Sequence, residues 1–231
     1  MRLFLLLLLS SLALAADLDD AKELYSDGDF LRASQVASKL ETSIGFSFAA
    51  RSLAEFASSR PRDERDELYS TCERYARKAV QLNSKNADGY FEIAVAVGQL
   101  ANLRDAGYAI STGVPSQIRD NLNLALDLNP KHWFAMVVLG RWHAEMTARG
   151  IGWIYGANGD RAVELLELAI KTAPKRILVR VETALALLVL DKQKYRERAK
   201  RELETAIKLE VIDAAERRQF ERAKRELENW R

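Results

Sequence analysis

The chain has 231 residues, of which 35 are Lys or Arg, 33 are Asp or Glu and one is Cys. This length supports a hydrophobic core without covalent cross-links, and a single cysteine excludes an intramolecular disulfide. The formal net charge of +2 is close to balance. The composition therefore does not indicate a nucleic-acid-binding protein or one that binds an acidic membrane surface.

The N-terminus has the pattern of a secretory signal peptide. Arg2 precedes an apolar run from Leu3 to Leu9, and small residues at Ala13 and Ala15 form a cleavage site. We expect residues 1–15 to be removed, which leaves a soluble periplasmic domain of residues 16–231. The apolar stretch is shorter than the ~20 residues that a membrane-spanning helix needs, and retention as an uncleaved anchor is the alternative.

The rest of the chain has the apolar periodicity of helices and lacks the alternation of strands. Apolar residues recur at spacings of three and four, as at Leu122 and Leu126, which predicts an all-α fold. The first helix is predicted to end near Leu24, with a turn at Asp27-Gly28-Asp29-Phe30. Ala33 and Ala37 then begin a second helix, since small residues let two helices approach closely.

A short block then recurs along the chain and indicates stacked helix pairs. Its core is an Ala followed by an apolar residue, and in two copies it ends at a helix-stopping proline, Pro130 or Pro174. Alignment of the copies places the following residues at one equivalent position: Leu40, Ala79, Ala125, Ala169 and Ala206.

The repeats are unequal in length. Successive copies are separated by 39, 46, 44 and 37 residues, against ~34 in a regular tetratricopeptide repeat. We expect the surplus to lie between the two helices of a pair, with Gly-rich insertions at Arg104–Pro115 and Gly150–Gly159. The pattern predicts a right-handed solenoid of about five helix pairs, closed by a charged capping helix from Asp213 to Trp230.

The sequence resembles two known families. It is similar to tetratricopeptide proteins in the Gly-Asp-aromatic-x-x-Ala string that begins at Gly28 and in the recurring block. The segment from Ile118 to Pro130, followed by Leu139-Gly140-Arg141-Trp142, resembles the regulator of microtubule dynamics family and its exported bacterial relatives. The resemblance implies a non-enzymatic helical repeat protein that associates with a partner. A periplasm has no microtubules, so we do not expect that link to apply.

The residues capable of chemistry are scattered. His132 and His143 lie eleven residues apart on one predicted helix, which is ~16 Å and too far for a shared metal ion. We expect His132 at a helix cap or on the surface and His143 partly buried. Cys72 lies on a helical pattern and is expected to be a buried thiol. No catalytic residue, metal site or cofactor is predicted.

The insertion at Gly150–Gly159 invites two interpretations. A helix rather than a strand precedes it and no Gly-Lys-Ser/Thr follows, so it does not have the pattern of a phosphate-binding loop. Trp153, Ile154 and Tyr155 are either an exposed contact patch or fold back as core, and the sequence slightly favours core.

The repeat register provides a candidate binding groove, since the first helix of each pair lines the concave side of such solenoids. An aromatic, aliphatic and charged mixture there suits a protein segment. Leu178 and Val181 are expected to continue the line of this groove. The alternative is that the insertions or the last helix cover the groove and that its residues are core, which fits the apolar character of Leu178, Val181 and Leu185. The predicted groove residues are Asp88, Phe91, Val95, Phe134, Val137, Arg141 and Glu145.

The function predicted from sequence is a non-enzymatic scaffold that binds a protein segment or partner subunit. The alternative is a ligand-binding accessory protein of a solute transporter. An enzyme is the least favoured class, and nucleic acid is not an expected partner. The scaffold and the transporter accessory differ in whether the concave side is an open groove or an enclosed pocket.

Overall fold

The computed structural model describes residues 18–104 and 111–230, and all secondary structure in these ranges is helical, as predicted. The predicted signal peptide, residues 1–15, lies outside the described residues. The chain divides into two compact units, Met1–Val114 and Pro115–Arg231, and each is described by itself. No helix within residues 18–104 and 111–230 has both the length and the apolar character that crossing a bilayer requires.

The first unit is a stack of helices in which each packs on the next. Asp29 begins α2 by accepting the backbone N–H of Arg32, and Gly28 makes the preceding turn at a φ of 92°, a conformation that favours glycine. In addition to its sequence neighbours, α3 packs against α5. The helices are α1 (residues 18–27), α2 (Phe30–Lys39), α3 (Ser43–Ser58), α4 (Arg62–Leu82) and α5 (Ala87–Leu103).

The second unit repeats this arrangement. Here α7 packs against α9 and α10, and α12 packs against α10 and α11 as the predicted cap. Ala223 and Glu216 of α12 are buried, whereas five charged residues of this helix are exposed: Arg217, Glu221, Lys224, Arg225 and Glu228. The helices are α6 (Val114–Leu128), α7 (Trp133–Ala148), α8 (Gly152–Tyr155), α9 (Gly159–Thr172), α10 (Ile177–Leu190), α11 (Lys192–Ala206) and α12 (Ala214–Glu228).

Small residues at repeat positions explain the close packing of the helix pairs. Ala79, Ala125, Ala169 and Ala206 are all fully buried, whereas Leu40 stands at the C-cap of α2 and is partly exposed. A second small residue lies seven positions before the aligned position in four of the five repeats. It is a fully buried alanine in three repeats and a buried cysteine in the second repeat: Ala33, Cys72, Ala162 and Ala199.

Cys72 is therefore a packing residue. It is 1% exposed and lies in a cluster with Leu53, Tyr69 and Leu100. Burial raises the pKa of its thiol well above the ordinary range. Both observations confirm the expected buried thiol and disfavour its thiolate form, which is the nucleophile and metal ligand.

Gly140 allows α7 and α9 to meet at the Leu-Gly pair. A Cβ atom at this position would lie 2.9 Å from Cγ of Leu166 and 3.2 Å from the carbonyl oxygen of Ala162. Contacts this short require the neighbours to move, so the glycine sets the distance between these helices.

The second predicted insertion lies between the paired helices α7 and α9, as expected. The first lies between α5 and α6 along the chain, and its residues 105–110 lie outside the described ranges. The second joins α7 to α9 and contains the one-turn helix α8.

Candidate interaction surfaces

The first three groove residues lie on α5, and they differ in exposure. Asp88 has a side chain that is 53% exposed and accepts a hydrogen bond from Nη2 of Arg51 at 2.8 Å. Phe91 is only 5% exposed, with the Arg51 guanidinium carbon 6.0 Å from its ring centroid, and Val95 is half-buried. Phe91 is thus a core residue that offers little surface to a partner.

Glu92 is a buried carboxylate that the sequence did not reveal. Its side chain is 3% exposed, and its Oε1 accepts a hydrogen bond from Nε of Arg51 on α3 at 2.9 Å. Burial raises the pKa of Glu92 to about 7, although the charge of Arg51 opposes the shift. Burial of a carboxylate disfavours its charged form, and a paired cation restores part of that loss.

The remaining groove residues lie on α7 in the second unit. Val137 is 1% exposed and so belongs to the core. Phe134 is half-buried and stacks on Trp133, with 3.5 Å between ring centroids. Arg141 and Glu145 remain partly exposed, and Arg141 donates from Nε to Glu145 Oε1 at 2.8 Å.

A second carboxylate joins Arg141 to the neighbouring helices. Glu182 on α10 accepts Nη1 of Arg141 through Oε2 and Nη1 of Arg222 on α12 through Oε1. Val181 and Leu178 were expected to continue the line of the predicted groove. Val181 is instead fully buried and Leu178 is partly buried, as expected if these residues belong to the core. These charges link three helices of one unit.

The same Arg-to-Glu arrangement therefore occurs in both units. Arg51 and Glu92 are 41 residues apart, and so are Arg141 and Glu182. In each case the arginine lies on the first helix of one pair and the glutamate on the first helix of the next. The 41-residue spacing alone does not identify these pairs from sequence, because Arg and Glu also stand 41 residues apart at 104/145 and 180/221, where Arg104 pairs with Asp66 and Arg180 with Glu202.

Both histidines have structural partners. His132 caps α7, its Nδ1 accepting the backbone N–H of Ala135 at 3.1 Å, as expected for a capping residue. His143 is 7% exposed and accepts the backbone N–H of Asn158 through Nδ1 at 3.2 Å. Burial, with added repulsion from Arg161 and Arg119, lowers the pKa of His143 to about 4. In the described ranges, no group of three or more His, Cys, Asp or Glu could hold a metal ion.

The insertion between α7 and α9 presents two apolar side chains to solvent. Trp153 is 83% exposed and Ile154 is 55% exposed, whereas Tyr155 is half-buried. The expectation that this segment folds back as core is thus wrong for Trp153 and Ile154. With only four residues, α8 is too short for both of its faces to reach the core.

The base of this insertion is held by hydrogen bonds. Arg119 on α6 donates from Nη1 to the carbonyl oxygen of Tyr155 at 2.7 Å, and Ala157 N–H donates to the carbonyl oxygen of Gly152 at 2.8 Å. Gly156 ends α8 at a φ of 70°, which favours glycine. We call Trp153 and Ile154, which are exposed on this held base, the Trp153 knob.

The fold resembles that of solved tetratricopeptide proteins. TTC0263, a thermophilic TPR protein of Thermus thermophilus, aligns with a TM-score of 0.67 and 16% identity over 91% of this chain and 98% of that chain. This likeness confirms the predicted tetratricopeptide-like all-α fold. MamA protein aligns with a TM-score of 0.46 and 17% identity over 84% of this chain and 90% of that chain.

Sequence comparison gives the family. No curated protein matches the chain in sequence. The family model described as Regulator of microtubule dynamics protein 1-3 matches residues 17–231, which covers the whole predicted mature domain except its first residue. The chain therefore belongs to the regulator of microtubule dynamics protein 1-3 family.

Proposed function

We propose that this chain is a periplasmic, non-enzymatic scaffold that binds a partner protein, and that the Trp153 knob is a principal contact. The observation that carries the proposal is the 83% exposure of Trp153 at the end of a held insertion. Tryptophan is enriched among the residues that dominate binding energy at protein interfaces, and the adjacent exposed Trp153 and Ile154 offer apolar area that a partner can remove from water.

The anchoring of the knob supports a binding role. The Arg119 and Gly152 hydrogen bonds fix the backbone on both sides of Trp153. A contact that is already ordered loses less conformational entropy on association than a mobile loop does. The predicted groove residues support binding less directly, because Phe91 and Val137 are buried and Arg141 is bound by two glutamates.

The periplasmic location rests on the leader sequence. Because that leader predicts export, we propose that the partner is an envelope protein, although the family is named for microtubule dynamics. Fractionation of cells that express the full chain should recover it from the periplasm, with a mature N-terminus at Ala16. Recovery of an intact chain in the cytosol would contradict this location.

Comparative capture tests the contact. The affinity-tagged full chain and its Trp153→Ala variant are used to recover proteins from envelope extracts. Ile212→Ala is the matched control, because Ile212 is 53% exposed in the same unit but lies on a different segment, between α11 and α12. We expect a protein that the wild type and the control recover equally and that Trp153→Ala loses.

Two outcomes would count against the proposal. Equal recovery by all three chains would show that the knob is not a contact. Recovery of no specific protein in repeated captures, by any of the chains, would argue against a scaffold. Circular dichroism of Trp153→Ala should match the wild type, since an exposed side chain contributes little to stability.

A further inference from the structure

A second exposed surface lies in the first unit, at the end where α2 and α4 finish and α3 begins. Ile44 and Leu82 are 62% and 52% exposed there. Three lysine side chains on the adjoining chain segments are also exposed. We name the basic–apolar patch by these five residues: Lys39, Ile44, Lys78, Leu82 and Lys85.

Hydrogen bonds hold the parts of this patch together. Ser43 Oγ donates to the carbonyl oxygen of Ala79 at 2.7 Å, which ties the start of α3 to the last turn of α4. Asn86 donates from Nδ2 to Ser43 Oγ at 2.8 Å and so fixes the loop that follows α4. Lys78 Nζ stands 4.5 Å from the ring centroid of Phe46 on α3. Ile44 and Leu82 therefore project from segments that are in contact.

The charge of the patch differs from that of its unit. Residues 18–104 contain 12 Lys and Arg and 14 Asp and Glu, yet three of their four lysines are in the patch. Of the nearby carboxylates, Glu41 is exposed and Asp88 is bound by Arg51. The patch is thus locally basic within an acidic unit.

We propose that the basic–apolar patch binds an acidic segment of a partner protein, in which apolar residues contact Ile44 and Leu82 and carboxylates meet the lysines. Complementary charge steers such a segment to the patch and fixes its register, and the apolar contact removes surface from water. The exposed apolar residues here are aliphatic, and Phe46 is only 4% exposed. A membrane surface would favour exposed Trp or Tyr.

This inference rests on the proposed scaffold function but uses a different surface in a different unit from the Trp153 knob. A variant at Trp153 should leave binding at the patch unchanged, and a variant in the patch should leave Trp153-dependent capture unchanged. The two proposals can therefore fail separately.

Two synthetic amphipathic peptides of about 16 residues test the chemistry, each with leucines spaced at i, i+3, i+4 and i+7. The remaining positions are Glu and Gln in one peptide and Lys and Gln in the other. We expect fluorescence anisotropy at low salt to show binding of the acidic peptide to the full chain and none of the basic peptide.

Two patch variants should weaken that binding. Lys85→Glu reverses a charge and Leu82→Asp removes the apolar contact, and each should raise the Kd about tenfold or more. Lys208→Glu and Leu168→Asp are matched controls, because both residues are exposed in the second unit. The controls should leave the Kd within about twofold of wild type.

Several results would overturn the proposal. They are equal binding of both peptides, binding of neither, and equal weakening by patch and control variants. Binding to vesicles of phosphatidylglycerol and phosphatidylcholine that Lys85→Glu abolishes, without binding of the acidic peptide, would identify the surface as a membrane contact instead.

Discussion

Replacement of Arg51 by methionine should destabilise the first unit in a strongly pH-dependent way. Arg51 bonds Glu92, which is 3% exposed, and methionine keeps an apolar stem of similar length without the charge. The variant leaves a buried carboxylate without its cation. Asp88, the other partner of Arg51, is largely exposed and loses little.

The magnitude follows from the burial of the pair. Removal of one partner of a buried ion pair costs about 3–5 kcal/mol. The Arg51 side chain is 23% exposed, so water screens part of the interaction. We therefore expect a loss near the lower end of that range, about 3 kcal/mol at pH 8.

The pH dependence follows from the pKa of Glu92. Burial raises that pKa from an ordinary 4.5 to about 7 in the folded protein, against the influence of Arg51. The folded state then binds the proton more tightly than the unfolded state, so this group lowers stability as the pH rises from 4.5 to 7. Without Arg51 the folded pKa rises further. At pH 5 Glu92 is neutral in both proteins, whereas at pH 8 the wild-type carboxyl is ionised about one unit above its pKa. That difference is about 1.4 kcal/mol, so the loss should shrink to about 1.5 kcal/mol at pH 5.

Urea denaturation at pH 5 and pH 8 measures both values. Arg51→Met/Glu92→Gln should recover most of the loss at pH 8, because no buried charge remains. Arg74→Met is a matched control, since Arg74 pairs with the exposed Glu67 and its loss should cost under about 0.5 kcal/mol. A cost for Arg51→Met that is the same at both pH values, or below that of the control, would refute the reasoning.

The remaining predictions concern other parts of the chain. Gly140→Ala should lower the free energy of unfolding by about 2 kcal/mol in urea denaturation, because the new Cβ meets Leu166 and the Ala162 carbonyl; unchanged or higher stability would contradict the close helix contact. The folded pKa of His143, about 4, lies below its ordinary 6.5, so its contribution to stability is complete above pH 6.5 and is lost as the pH falls toward 4. A urea series from pH 4 to pH 7 should show a flatter profile for His143→Gln than for wild type, and parallel profiles would contradict that assignment. Cys72 should react with a thiol reagent only in denaturant, and rapid modification of the native chain would show that its burial is wrong.

The helical repeats could be predicted from local sequence because periodicity and capping act over short distances. The turn at Gly28, the small residues at Ala79 and Ala169, and the position of the insertion between α7 and α9 follow from the spacing of apolar residues, Gly and Pro. Cys72 was placed correctly in the core for the same reason. These features depend on which face of a helix a residue occupies.

The candidate surfaces depended on contacts between distant segments. Phe91 and Val137 occupy concave positions in the repeat register, yet side chains of neighbouring helices bury them, and register alone does not specify the depth of a position. Glu92 looks like an ordinary surface glutamate in the sequence. Only its contact with Arg51, 41 residues away, shows it to be buried and paired.

The all-α class, the unequal repeats and the pattern of a leader can be read from the amino-acid sequence, because each is a property of neighbouring residues. The exposure of Trp153 and Ile154 and the binding of Arg141 by two glutamates follow from the packing of distant segments. The solvent exposure of a side chain depends on which distant segments of the chain pack against it. A Trp in a Gly-rich insertion can lie in the core or on the surface, and the slight preference for core was wrong at Trp153.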